Sequence, residues 1–343
     1  MRLALVGWEI EMAEIVFGLG TSHTPQMSST VEMWEDHAAR DKGNPELLAG
    51  DAEYWKYDDL LKVADPALAA ELTDEVWNRR YERAQECVGI LAKALADARP
   101  EVVVIVGDDQ EELFDDGGTP AIGLFVGDEI WDRPLVGERK ARMEKFPGLV
   151  AAQWAAHGPQ PTPHLVEKDL SYHLAAQLTL MDFDLTLVSQ QAESRTLGHA
   201  FTFPRYRLHL PATTPIVPIL LNTYYPPNVP SATRCYDLGR ALRRAIESWD
   251  SDKRVAVVAS GGLSHFVVLP EWDRMILDAM AKHDREAFAA IPRKMFRSGT
   301  SETLNWITVA GVFEQGTMEV IDYLPGYRTP AGTGTGMAFA TWR

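Results

Sequence analysis

VAVVASGGLSH, residues 255–265, joins a run of small and β-branched apolar residues to a polar turn that carries two glycines and ends on a histidine. A run this short and uniformly apolar reads as a strand buried on both faces, which belongs in a sheet covered by helices. The glycines at 261 and 262 let the backbone turn sharply and a ligand approach closely, so the loop suits presentation of His265 into a pocket.

Similar runs, bounded by Gly, Pro or Asp, occur at 15–19, 102–106, 122–126, 185–188 and 216–221. Between them lie stretches with helical period. Residues 235–249 space Leu238, Leu242 and Ile246 four apart, and a second helix spans about 74–98 and stops before Pro100. A third, about 169–181, sets Leu170, Leu174, Leu178 and Met181 on one face with His173 beside it, and helices at about 271–281 and 302–313 follow. Strands alternating with helices in this order predict an α/β fold with helices on the faces of a sheet. There is no internal repeat, low-complexity tract or linker composition. Residues 28–62, rich in Trp, Asp and Glu without clean periodicity, read as a lid or as a decorated surface loop with a short helix.

With 343 residues the chain can bury a substantial core. Cys87 and Cys235 are far apart and lack ligand-like spacing, so neither a disulfide framework nor a thiolate metal site is indicated, and a reducing, cytoplasmic location fits. No run reaches the roughly 20 apolar residues of a membrane helix. The opening MRLALVGWEIE imitates a weak signal peptide, but Glu9, Glu11 and Glu14 interrupt its apolar part. Residues 1–11 are expected to be a disordered leader or to precede a true start at Met12. A formal charge of −16 repels phosphate backbones and argues against nucleic acid; an anionic substrate would need a local cationic pocket.

Three polar clusters directly follow strands: Gly20-Thr-Ser-His23-Thr-Pro25, Gly107-Asp-Asp-Gln110-Glu and Ser260-Gly-Gly-Leu-Ser-His265. In open α/β sheets ligands bind outside the carboxyl ends of strands, so clusters remote in sequence can converge on one crevice. Glu271 follows six residues after His265, where a carboxylate serves either as a helix N-terminal charge, worth about 0.3 to 1 kcal/mol, or as a metal ligand. His plus carboxylate ligands with open positions are what non-haem Fe(II) oxygenases use, and His23 with Glu271 would supply two. No HExxH, Walker A, GxSxG or CxxC pattern competes. The run Gly332-Thr-Gly-Thr-Gly336 lacks the strand-turn-helix context of a nucleotide site and reads as a loop.

These pieces together resemble the class III, LigB-type extradiol ring-cleavage dioxygenases over nearly the whole chain. The resemblance rests on Ser22-His23-x-Pro25, the acidic cluster 108–110, Leu170-Ser-Tyr-His173, Leu197-Gly-His199, Tyr225-Pro-Pro227, Ser260-Gly-Gly-Leu-Ser-His265, Glu271-Trp-Asp273 and Ser298-Gly-Thr-Ser-Glu302. It implies a central mixed sheet flanked by helices on both faces, one catalytic domain over 12–343, Fe(II) as cofactor, a small aromatic diol and dioxygen as partners, and a homodimer. It further implies His23 and Glu271 as iron ligands, His265 as the acid/base histidine, and His173 and His199 as pocket histidines. Read without it, His173 is equally a core-edge histidine bonded to a carbonyl, and His199 a loop residue with a local hydrogen bond.

Where the family has a second histidine ligand after an Asn-Asp pair, this chain has Gln110 after Asp108 and Asp109. Either Gln110 binds through its weakly donating amide oxygen, or Asp108 or Asp109 replaces it, or His37 swings in from the irregular segment, or the metal is lost or different. Chain length and the Asp-Asp-Gln cluster look closer to the methylgallate and gallate branch than to two-subunit protocatechuate enzymes. Arg205 and Arg207 are candidates for a substrate carboxylate, although arginines so placed often face solvent. Two other classes compete: a non-oxidative metal enzyme of the same fold with an altered site, and a relative that binds an aromatic ligand without catalysis.

Overall fold

The computed structural model describes residues 12–114 and 118–343; the expected leader 1–11 lies outside them. The chain opens with β1 (Glu14–Thr21), α1 (Trp34–Asp41), the short hairpin β2 (Leu47–Leu48) and β3 (Tyr54–Trp55), α2 (Tyr57–Val63) and α3 (Asp74–Ala98). The middle holds β4 (Val102–Asp108), β5 (Ile122–Phe125), β6 (Glu129–Asp132), α4 (Gly137–Met143), α5 (Pro147–Ala152), β7 (Thr162–Leu165), α6 (Lys168–Leu180) and β8 (Thr186–Val188). Next come α7 (His199–Arg207), β9 (Ile216–Leu221), α8 (Ala232–Glu247), β10 (Arg254–Ser260), β11 (His265–Val267) and α9 (Pro270–Ala281). The chain ends with α10 (Arg285–Ala290), α11 (Thr303–Val312), β12 (Met318–Tyr327) and β13 (Thr333–Trp342).

A nine-stranded mixed sheet runs β11-β13-β1-β10-β4-β9-β5-β8, with β12 paired along β13. Its centre is parallel: β1 with β10, β10 with β4, and β4 with β9. Their apolar runs do not alternate with polar residues because both faces are covered. Val102, Val104, Val106, Val255 and Val257 point into one core with α6, α8, α9 and α11. Val103, Ile105, Ala256 and Val258 point into the other, with α3 and α7. Helices α8 and α11 cross closely at Gly239 and Gly311; a Cβ on Gly239 would overlap Thr308 O and lie 2.8 Å from Gly311 Cα.

Two expectations change. Residues 332–336 are not a loop: 333–336 open β13, which pairs with β12 from end to end and with β11 and β1 on its other edge. Glycine is required there by close packing, since a Cβ on Gly336 would overlap Asp273 Oδ2 and lie 3.1 Å from Ser264 Oγ. The 28–62 segment is anchored rather than free: Trp34 is fully buried, and Asp41 takes a bidentate bond from Arg328, Nε at 2.9 Å and Nη2 at 3.2 Å. No helix among the described residues is long and apolar enough to cross a membrane.

Candidate metal centre and active site

Because β1, β10, β4 and β9 are neighbouring parallel strands, their carboxyl ends lie along one edge, with Thr21 opposite Ser260 and Asp108 opposite Leu221. The chain just past those ends supplies His23, the 261–265 loop, Gln110 and Tyr224, which line one cavity of about 760 Å³. Its far wall is the former irregular segment and α4–α5, including Arg40, Asn44, Arg139 and Phe146.

At the floor, ligand-type atoms of His23, Asp108 and Glu302 all lie within 4.8 Å of one another, and all three residues are buried. Nδ1 of His23 is 3.0 Å from Ser260 Oγ, which turns Nε2 toward the carboxylates. Nε2 lies 3.1 Å from Glu302 Oε2, yet it has no partner in hydrogen-bonding geometry. Two donors about 2.1 Å from one ion at right angles stand about 3 Å apart, so this spacing suits co-ligands of a cation. Asp108 is held by Asn305 Nδ2 at 3.2 Å and Gln110 Nε2 at 3.1 Å. Burial, then the Glu302 charge, raises the Asp108 pKa, the signature of two buried carboxylates without enough positive charge between them. An orphaned imidazole nitrogen facing two buried carboxylates fits a divalent cation.

Glu302 is the hub. Burial alone would raise its pKa, but His265 and His23 outweigh that and hold it well below the usual carboxylate range. It accepts from Gly262 N at 2.8 Å and from the Tyr224 hydroxyl at 2.8 Å. His265 Nδ1 is 3.0 Å from Leu263 O, which can only accept, so Nδ1 carries a proton and Nε2 faces the site, 3.3 Å from Glu302 Oε1. The loop is seated on Asp273, which accepts from Ser264 N and Oγ and from the Tyr323 hydroxyl; burial pushes the Asp273 pKa up to about 6. The His265 ring packs closely against Gly299, where a Cβ would overlap Cδ2 and Nε2 and stand 2.5 Å from Cγ.

On the other side of His23, the His199 ring packs edge-on with centroids 4.6 Å apart. Glu112 accepts from its backbone N at 3.1 Å and lies 2.7 Å from its Nδ1. Burial works against charging His199, but the Glu112 carboxylate prevails and lifts it to about 10. Behind Glu112 stands His157, whose Nδ1 is 2.8 Å from Asp132 Oδ1. His265, His199 and His23 are thus gathered in one cavity.

Other expected residues stand elsewhere. Glu271 is exposed in the first turn of α9 and outside the cluster; as the carboxylate beside His23 it is corrected to Glu302. The physical reason is that the 261–265 loop folds inward while α9 turns its start to solvent. Gln110 lines the cavity but points its amide nitrogen at Asp108 and, at 3.4 Å, Glu302, so it clamps the carboxylates rather than offering oxygen. Of the alternatives to it, Asp108 is beside His23. Asp109 turns away to accept from Leu113 N and Phe114 N, and His37 is buried against Ser29 Oγ at 3.0 Å. His173 lies outside the cavity lining, bonded to Ala245 O at 3.0 Å, the core-edge arrangement. Arg205 donates to the carbonyls of Thr214 and Ala212, and Arg207 to Met27 O and Gln85 Oε1; neither lines the cavity. Glu302 was signalled by a carboxylate abutting the apolar helix 303–312, where a buried charge demands partners.

The fold and site define an α/β protein with a buried His-carboxylate cluster that could hold a cation at the carboxyl edge of its sheet, beside two further histidines. The family described as the catalytic LigB subunit of aromatic ring-opening dioxygenase matches residues 78–338, and the chain belongs to it. It is also similar to a gallate dioxygenase of Pseudomonas putida, 39% identical over 122 residues, 32% of this chain and 34% of that relative. The match therefore spans about a third of the relative's length.

Proposed function

We propose that this protein is a non-haem Fe(II) extradiol dioxygenase that cleaves a catechol-type ring, such as methylgallate, gallate or protocatechuate, with dioxygen. The carrying observation is the buried His23–Asp108–Glu302 cluster, whose His23 and Glu302 line the same cavity as His265 and His199. Family membership and the partial likeness to a gallate dioxygenase support it. The metal would be held by His23, Asp108 and Glu302, with Gln110 orienting both carboxylates.

When bound, Fe(II) supplies open positions for the diol oxygens and dioxygen and lowers the pKa of the bound hydroxyls. His265 Nε2, with Nδ1 fixed on Leu263 O, accepts a proton from the substrate hydroxyl and returns it as the ring opens. Glu112 orients His199 toward the substrate from the opposite side. Tyr224, tied to Glu302, lines the ring's path, and its buried hydroxyl stays protonated because burial and the Glu302 charge raise its pKa far above its usual value. Fixing these groups before the reaction removes orientational freedom from the chemical step.

We read residues 12–343 as one catalytic domain, since β1 and β13 are adjacent strands, and the active form as a homodimer. The two buried, unpaired thiols suit a cytoplasmic location. The test is anaerobic Fe(II) reconstitution followed by oxygen-electrode assays on gallate, methylgallate, protocatechuate and catechol. A yellow ring-opened product with stoichiometric oxygen uptake is expected. A second reading, non-oxidative metal chemistry, draws on Gln110 standing where the family pattern places imidazole; tightly held zinc and no oxygen uptake with any diol would select it.

A further inference from the structure

Away from the metal cluster the cavity lining carries more guanidinium groups than carboxylates, with Glu46 set against them, although the chain as a whole carries a charge of −16. Four guanidinium groups line it: Arg40, Arg139, Arg142 and Arg328. Arg328 is neutralised by Asp41, and Arg139 donates to the carbonyls of Glu111 and Gln110. Arg142 is exposed, where solvent screens it.

Arg40 differs from all three. Half-buried at the end of α1, it has no hydrogen bond or ion pair for its guanidinium among the described residues, only the face of Phe266 at 6.0 Å. The two carboxylates whose charge bears on it are already engaged. Asp41 serves Arg328 and, at 2.8 Å, the Thr333 hydroxyl, and Asp36 accepts from Gly148 N at 2.8 Å. Burial, then the neighbouring Arg328, depresses the Arg40 pKa against the opposing pull of Asp41 and Asp36, so an additional anion beside it would be favoured. A cation removed from water without a partner is costly, and a ligand anion would offset that cost.

Tyr224 lines the same cavity as Arg40, and its hydroxyl bonds Glu302. Because Arg40 lines the same cavity as His23 and Glu302, a ring whose adjacent oxygens face the metal cluster can present a substituent on its far side to Arg40. We propose that Arg40 binds a single carboxylate on the substrate ring, remote from the diol, and is the residue that restricts this enzyme to aromatic acids. The proposal rests on the ring-cleavage reading and names the residue that selects its substrate class.

The experiment compares 3,4-dihydroxybenzoate with its neutral amide on the Fe(II)-loaded full chain, as wild type, Arg40→Gln and Arg40→Lys. Charge-assisted bonds of this kind are worth about 10- to 100-fold in binding. The acid-to-amide ratio of kcat/KM is expected to fall by that factor in Arg40→Gln, chiefly through KM, with partial recovery in Arg40→Lys. A ratio within threefold, roughly, of wild type in Arg40→Gln would overturn the assignment while leaving ring cleavage standing. If wild type consumes no oxygen with either compound, the ring-cleavage reading fails instead. Anaerobic calorimetry of the same two compounds then decides Arg40 alone: an acid preference lost in Arg40→Gln upholds the proposal, and equal binding refutes it.

Discussion

Replacing Gly299 by alanine perturbs the proposed acid/base histidine without altering any charged group. The added methyl would overlap Cδ2 and Nε2 of His265 and stand 2.5 Å from Cγ, whereas carbon atoms in contact sit about 3.5 to 4.0 Å apart. The ring must therefore move by more than 1 Å or so, and a misplacement of about 1 Å in a reacting group costs on the order of 100-fold in rate. His265 cannot retreat freely. Its Nδ1 is bonded to Leu263 O and its backbone N to Thr300 Oγ1. Overpacking of this kind destabilises by about 1 to 3 kcal/mol, so the protein should remain folded with the His23–Asp108–Glu302 cluster intact. Oxygen uptake at saturating substrate, with iron content and melting temperature on the same sample, gives the readout. A drop in kcat on the order of 100-fold at full iron occupancy is expected; near wild-type kcat would refute the claim that the position of His265 governs turnover.

Asp41→Ala would strand Arg328, only 4% exposed, without its bidentate partner, so urea unfolding should show a loss of about 3 to 5 kcal/mol. Glu271→Gln should leave iron affinity and turnover at wild-type values, because the side chain is exposed and outside the cluster; lost iron would restore it as a ligand. Burial, with Arg328 and Arg40, lowers the pKa of His37 to about 3, and burial, with Arg205, lowers that of His164 to about 4. The unfolded chain takes up these protons near pH 6.5 and the folded chain does not, so this stability is present above 6.5 and lost as pH falls toward 4. Each histidine should remove on the order of 2 kcal/mol between pH 7 and pH 5. In denaturant titrations His164→Phe should be less acid-sensitive than wild type by about that amount; an unchanged slope would show that His164 titrates normally.

Most of the sheet was legible because its central strands carry their burial locally. Residues 102–106, 216–221 and 255–259 are apolar on both faces, and the expected helix at 74–98 coincides with α3. The hairpin β12–β13 was hidden: Pro325, Gly326 and alternate glycines from 332 look like breakers, and only the passage of Asp273 and Ser264 against Gly336 explains them. That His23, His265 and His199 share one cavity was readable from strand ends and motif likeness. Glu302 was harder, since its partners lie 37 residues or more away and its placement depends on α11 inserting its start at the sheet edge. Arg40 sits in a segment without periodicity, and its lack of a partner is a property of the assembled cavity.

The most direct measurement is anaerobic Fe(II) titration by calorimetry of wild type, Glu302→Gln and Asp108→Asn. One tight site per chain in wild type, severely weakened in both variants, is expected if the buried cluster is the metal centre. Undiminished Fe(II) binding by both variants would contradict it.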